Sequence, residues 1–404
     1  MSGPSSRPGP EAPTADARDP VGKAKPGRAA QSPPHGENPP DGSSSPEAEG
    51  AGPLSPSERL RQMPRALLAW YDRAARDLPW RKTRDPYRVW VSEIMLQQTR
   101  VDTVIPYYER FLAALPTVRD LAGCEEQKLL KLWEGLGYYS RVRNMQAAAR
   151  QIVCSFGGAF PRDWEALRTL KGVGDYTAGA VCSIAFDGRA AAVDGNVCRV
   201  LARLTGDRSD ITLPRTRADF RARILEVLPP RSGDFNQAIM DLGATVCLPN
   251  GRPLCPDCPL EKFCACREGD LWRELPVQPP RKGRKKEQKT LFFLFDGEGL
   301  LLEKRPDSGL LAGLSQPPMA EGLLGPAEAE RWLTESGLSG ELLTSMEGRH
   351  IFTHIEWEMR AYFFRCRKLS GAVPFGELDR HPLPSAFSAF FRFFRQLRNG
   401  EVLI

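Results

Sequence analysis

No run of roughly 18 consecutive apolar residues occurs in this 404-residue chain, which excludes a membrane-spanning helix of ordinary length. No apolar segment near the start could serve a secretory signal, and Glu11, Asp16 and Asp19 interrupt any mitochondrial presequence there. Residues 1–56 lack aromatics altogether, and their only large aliphatics are Met1, Val21 and Leu54. They do hold 13 of the 36 prolines and 8 of the 36 glycines. So little apolar surface cannot offset the entropy of ordering, and 1–56 reads as a disordered tail. A strong charge of one sign is missing too: 56 Lys+Arg against 50 Asp+Glu leave +6, too little to establish a nucleic-acid partner. Ten cysteines form no even framework for disulfides, because four lie within 255–266 and Cys247 sits just upstream.

What remains, residues 57–404, is long enough for two cores. Helical periodicity runs through 64–76, 89–112, 126–133, 142–156, 163–170, 177–186, 196–204, 215–228 and 235–247. Pro106 is expected to kink or end the second of these. Strand signals are nearly absent before residue 275, so 57–272 reads as an all-α domain. At 273–289 the character changes: Pro276, Pro279 and Pro280 precede a stretch, 281–289, in which six of nine residues are basic. That segment reads as a basic linker. Strand patterns follow at 290–295, 300–304, 350–353 and 356–366, with helices at 326–336 and 386–397, which gives a small α+β domain over 290–404.

The cysteines are spaced Cys247-x7-Cys255-x2-Cys258-x5-Cys264. Four thiolates suit zinc or an iron–sulfur cube. One tight pair with two isolated ligands fits the corners of a cube better than two zinc pairs. Cys266 is a spare thiol. Between two helical segments lies Gly172-Val173-Gly174, followed by Asp175 and Tyr176. It is no phosphate-binding Walker loop, since no strand precedes it. Its glycines allow a tight turn that exposes amide N–H groups at a helix start, suited to a phosphate backbone gripped without reading sequence.

These pieces, with LPWR (78–81), WVSEIMLQQTRV (90–101), GLGYYSR (135–141), VDGNVCRVLAR (193–203) and GLLAGL (309–314), resemble the helix-hairpin-helix DNA glycosylases that carry an iron–sulfur loop. Within them the chain is most similar to the adenine-specific MutY branch, over about residues 60–404. The resemblance implies an all-α glycosylase domain with a [4Fe–4S] cluster on Cys247, Cys255, Cys258 and Cys264, followed by an α+β Nudix-like domain that helps recognise 8-oxoguanine. It implies release of adenine from double-stranded DNA where adenine faces 8-oxoguanine or guanine, as base excision repair requires.

Roles follow residue by residue from the same resemblance. Glu93, in an apolar helical stretch, becomes the acid that protonates N7 of adenine, with a pKa raised by its pocket. Asp194 faces C1′, where positive charge develops, and Asn196 orients a water or the sugar. Tyr176 stands where strand-cleaving relatives carry a Schiff-base lysine, and its hydroxyl cannot form an imine, so the activity is expected to be monofunctional. Arg76, Leu78, Trp80 and Arg81 line the adenine pocket. Gln98 and Tyr138 wedge into the duplex near the lesion. Gly172, Val173 and Gly174 hold the DNA backbone, and Phe352, Thr353 and His354 present a loop to the opposite strand.

Two departures stand out. Seven residues separate Cys247 from Cys255 where the family has six, and the Asn250-Gly251 turn absorbs the extra one. Ser315-Gln316-Pro317-Pro318 follows GLLAGL in place of an aromatic and acidic pattern. The acidic Nudix box is absent, as Glu328, Glu330 and Arg331 do not reproduce its spacing, so pyrophosphatase activity is not expected. FSAFFRFF (387–394) looks like a sliding-clamp box without its leading Gln, and the same residues suit the buried face of a closing helix. A monomer with no membrane partner is expected. The short linker without cysteines points to a bacterial, cytoplasmic, nucleoid-associated protein, with a nuclear location the alternative for a eukaryote.

Overall fold

Ser55 opens the first helix. Its hydroxyl accepts from the Glu58 amide while the Glu58 carboxylate takes the Ser55 amide at 2.7 Å, and Pro56 supplies a preset φ. This capping box starts α1 (Pro56–Ala74) before the helix expected at residue 64, and the helix runs on through Pro64. The computed structural model describes residues 53–280 and 283–401. The expected tail lies almost wholly outside them.

The helical domain continues with α2 (Pro86–Leu96), α3 (Val101–Ala114), α4 (Val118–Gly123), α5 (Glu126–Leu132) and α6 (Ser140–Ser155). Then come α7 (Trp164–Arg168), α8 (Asp175–Phe186), α9 (Gly195–Thr205), α10 (Pro214–Val227), α11 (Ser232–Thr245) and α12 (Ala265–Glu268). The break in the segment expected at 89–112 falls at 97–100, not at Pro106, which sits inside α3. Pro106 forfeits a single helical bond, whereas the end of α2 has its carbonyls drawn off by the Arg141 side chain.

Two apolar cores divide these helices. One gathers Trp90, Met95, Phe111, Trp133, Val142 and Ala178, from α2, α3, α6 and α8 and their flanks. The other gathers Leu67, Val197, Leu201, Phe220, Phe235 and Leu242, from α1, α9, α10 and α11. No helix among the described residues is long and apolar enough to cross a membrane.

Strands begin at β1 (Lys285–Phe295), earlier than residue 290, followed by β2 (Gly299–Leu300), β3 (Glu303–Lys304), β4 (Ser315–Gln316) and β5 (Met319–Glu321). After α13 (Pro326–Glu335) come β6 (Gly340–Ile351), β7 (Ile355–Cys366), β8 (Val373–Pro374) and the closing α14 (Ser388–Arg398). The main sheet has the order β6-β7-β1-β2-β8, with β5 also on β1. β1 and β7 are parallel, from Lys285 opposite Ile355 to Phe295 opposite Arg365. The basic residues at 285–289 are therefore strand, not linker: their charges pair with carboxylates, exposed Lys285 with Glu287 and buried Lys289 with Glu321.

Period-two alternation along β1 builds a three-layer sandwich. Leu291, Phe293 and Phe295 join Phe390, Phe391 and Phe394 of α14 on one face, while Phe292 and Leu294 join Ala329 and Leu333 of α13 on the other. Phe387, Phe390, Phe391 and Phe394 are all buried, so the aromatic run near the end serves the core.

Candidate active site

Glu93 lies on α2 in the first core's half and is buried. The Tyr176 hydroxyl, from the first turn of α8, donates to its carboxylate at 2.7 Å and also lies 3.6 Å from the Met240 sulfur. Burial raises the Glu93 pKa. The Tyr176 hydrogen bond and the Arg81 charge oppose that, and the Asp194 charge adds to it. Burial likewise pushes the Tyr176 phenol well above its usual value, so it stays a neutral donor.

Asp194 comes from the other half. It caps α9, accepting from the Val197 amide at 2.8 Å through one oxygen, and takes the Asn196 amide at 3.1 Å on the other. Asn196 is held in turn by Arg199 at 2.9 Å, and Arg199 is anchored to the carbonyls of Gly243 and Cys247. The cap fixes the carboxylate while leaving its second oxygen on a neutral amide.

Arg76 and Arg81, expected to line the adenine pocket, do not hang free. Asp241 of α11 is fully buried and takes both: Arg81 through a paired contact at 2.7 Å on each oxygen, and Arg76 at 2.6–2.8 Å. The Tyr71 hydroxyl accepts from Arg81 at 2.7 Å. Leu78 and Trp80 are buried in the first core, Trp80 edge-on to Tyr108. Sequence reasoning missed Asp241, Tyr71 and Met240. The one signal was local: Asp241 stands between Met240 and Leu242 in the second half of α11, and an acid buried there must be paired.

Gln98 and Tyr138 are both exposed and both carry a left-handed backbone, φ 61° and 48°. In the hairpin, Gly172 has φ 75°, and a Cβ there would meet the Asn144 Cβ at 2.7 Å, so only glycine fits. A Cβ on Gly174, the residue before α8, would meet open space. That leaves room for another backbone to approach the amides. Val173 is buried beneath.

Phe352, Thr353 and His354 form the tip between β6 and β7, closed by the Phe352 amide on the Ile355 carbonyl at 2.8 Å. Phe352 is wedged edge-on between His350 and Trp357, while Thr353 and His354 are exposed. The Thr353 hydroxyl meets the Tyr138 hydroxyl across a cleft of about 610 Å³ between the helical and sheet domains. Arg143 to the Ala312 carbonyl (2.9 Å) and the Leu383 amide to Glu134 (2.8 Å) tie the same interface.

The expected cysteine cluster is corrected. Among the described residues, no group of three or more His, Cys, Asp or Glu side chains is placed to hold a metal ion, which overturns the [4Fe–4S] assignment to Cys247, Cys255, Cys258 and Cys264. All four are free thiols, and burial pushes Cys258 up to about 12 and Cys264 to about 11. The Cys264 thiol donates to the Arg203 carbonyl, and Cys247 accepts from the Arg203 guanidinium, each at 3.4 Å. The loop is held instead by Arg59 on the Phe263 carbonyl and Glu268, and by Arg203 on the carbonyls of Leu248 and Leu275.

Residues 91–226 match the model of the HhH-GPD superfamily of base excision DNA repair proteins, and residues 290–392 match a NUDIX domain. The chain is 36% identical to the adenine DNA glycosylase of Rattus norvegicus, covering 83% of this chain and 78% of that one. It is 38% identical to the adenine DNA glycosylase of Homo sapiens, covering 74% and 66%. Among solved structures, a thermostable thymine-DNA glycosylase superposes with a TM-score of 0.48 at 29% identity, over 52% of this chain and 97% of that one.

Proposed function

The chain belongs to the HhH-GPD superfamily of base excision DNA repair proteins, among its adenine DNA glycosylases, and on that premise we propose that it hydrolyses the N-glycosidic bond of adenine opposite 8-oxoguanine or guanine. The carrying observation is the buried Glu93 carboxyl, whose burial raises its pKa and so favours the neutral acid, bonded to a tyrosine where a lyase needs an amine.

Adenine leaves badly as an anion. Neutral Glu93 gives its proton to N7 of the flipped base, the C1′–N9 bond breaks, and its electron pair stays with the base. Positive charge then grows at C1′, and the Asp194 carboxylate stabilises it or bonds to it transiently. A water oriented by Asn196 then adds to C1′, freeing Asp194 where it has bonded, and gives its proton to the Glu93 carboxylate, which restores the acid and leaves an abasic site. Tyr176 cannot attack C1′ to form an imine, so the strand stays intact.

Arg76, Leu78, Trp80 and Arg81 form the adenine pocket in this reading, and Asp241 sets the two guanidiniums. The Gly172 and Gly174 amides take a phosphate while the Val173 amide closes the turn on the Leu170 carbonyl, and Gln98 and Tyr138 fill the gap left by the flipped base. Phe352, Thr353 and His354 contact the opposite base or its backbone from the sheet domain.

The test is a glycosylase assay on duplexes with adenine opposite 8-oxoguanine, beside thymine glycol duplexes, resolved with and without alkali. Adenine release with strand breaks only after alkali is expected. A preference for thymine glycol, or breaks without alkali, overturns the reading.

A further inference from the structure

The five hydrogen-bond acceptors around the Arg141 guanidinium are all backbone carbonyls. Nη1 donates to Ile94 (2.7 Å), Met95 (3.1 Å) and Gln97 (2.6 Å), and Nη2 donates to Leu136 (3.1 Å) and Gly137 (3.2 Å). The first three close the C-terminal end of α2, whose orphan carbonyls and negative dipole end favour a cation. The other two belong to the loop entering α6.

The next residue after each set is one of the two candidate wedge residues, both exposed and both left-handed in backbone: Gln98 follows Gln97, and Tyr138 follows Gly137. Neither has glycine's freedom, so surrounding structure must hold that backbone. The guanidinium also lies 5.3 Å from the Trp133 ring and 5.7 Å from the Tyr138 ring, and the Trp133 indole donates to the Gly137 carbonyl at 3.0 Å.

We propose that Arg141 is a positioning residue for base extrusion: a single guanidinium fixes both wedge-bearing loops, so Gln98 and Tyr138 enter the duplex as one rigid unit. This rests on the adenine-release reading above. Lysine cannot substitute, because one compact ammonium cannot present the planar fork that reaches both sets of carbonyls.

The test uses the full chain carrying Glu93→Gln, which should bind DNA while releasing little base, and a duplex with 2-aminopurine in place of the target adenine opposite 8-oxoguanine. The parent should show a fluorescence rise on binding, as the base leaves the stack. Adding Arg141→Lys, or Arg141→Gln as a second variant, should abolish most of that rise, while affinity changes less than about threefold because phosphate contacts dominate it. In the Glu93 chain, Arg141→Lys should slow adenine release about 100-fold, the scale set by an ångström of misplacement.

The Arg141→Lys loss should be strongly non-additive with Gln98→Ala plus Tyr138→Ala, because Arg141 acts through those two residues. Additive losses, an unchanged fluorescence rise, or failure of both Arg141 variants to fold overturn the proposal. A parent without any fluorescence rise, together with a Glu93 chain that releases no adenine, instead defeats the adenine-release reading itself.

Discussion

The Tyr176 hydroxyl sits 2.7 Å from the Glu93 carboxylate and donates to it, although the two residues are 83 positions apart. That bond favours the ionised form, against the burial that favours the neutral acid. Tyr176→Phe removes the bond and should raise the Glu93 pKa further. Adenine release needs the neutral acid, so its alkaline limb should move to higher pH in single-turnover pH profiles. An unmoved limb, or one displaced toward acid, would show that this contact does not govern the acid.

Glu93→Gln should cost adenine release about 100- to 10,000-fold, the usual worth of a positioned general acid. Its effect on stability has the opposite sign. The folded pKa of Glu93 is raised, so its contribution is intact below the ordinary carboxyl value and is lost as pH rises through the raised one. Glutamine cannot ionise. Thermal melts should therefore show the variant more stable than the parent at neutral pH, with the gap closing in acid. A variant that melts lower at neutral pH would refute the buried-carboxyl account.

Asp194→Asn separates the cap from the charge. Asparagine caps a helix about as well as aspartate but has one acceptor oxygen where Asp194 serves both Val197 and Asn196, so stability should fall by no more than about 1 kcal/mol. Adenine release should fall by at least about 100-fold, as loss of electrostatic stabilisation demands. Comparable losses of stability and rate would leave Asp194 as a structural cap alone.

Asp241→Ala strands two guanidiniums that share one buried carboxylate. Breaking a buried pair from one side costs roughly 3–5 kcal/mol, and urea denaturation should register it. A cost below about 1 kcal/mol would mean the pair behaves as an exposed one.

The sequence made some of this site legible and hid the rest for physical reasons. Glu93, Asp194 and Tyr176 stand in motifs that become readable through the family resemblance, since taken singly Glu93 reads as a partly exposed residue and Asp194 as a helix cap. Asp241 does not, because an acid in a helical pattern reads as solvent-facing until its two arginines, 160 and 165 positions away, are known. Arg141 lay inside a quoted motif, but its partners are carbonyls, which carry no residue identity. The first half of β1 read as linker because its lysines are neutralised only across the sheet. The break after α2 was assigned to Pro106 because proline is visible in sequence and a side chain taking carbonyls is not. The cysteine spacing suggested a metal where the described residues place no ligand set.

The division into two helical cores has a consequence for synthesis. The core around Trp90 and Trp133 draws almost entirely on residues 78–192, a contiguous stretch that can condense as it leaves the ribosome. The core around Leu67 and Phe235 cannot, since α1 packs on α9, α10 and α11 and keeps part of its apolar face uncovered until the last of them has been made. Glu93 belongs to the early half and Asp194 to the late one. A nascent chain thus gains its acid first and the carboxylate opposite only when α1 is retrieved, and until then that helix is the stretch most in need of a chaperone.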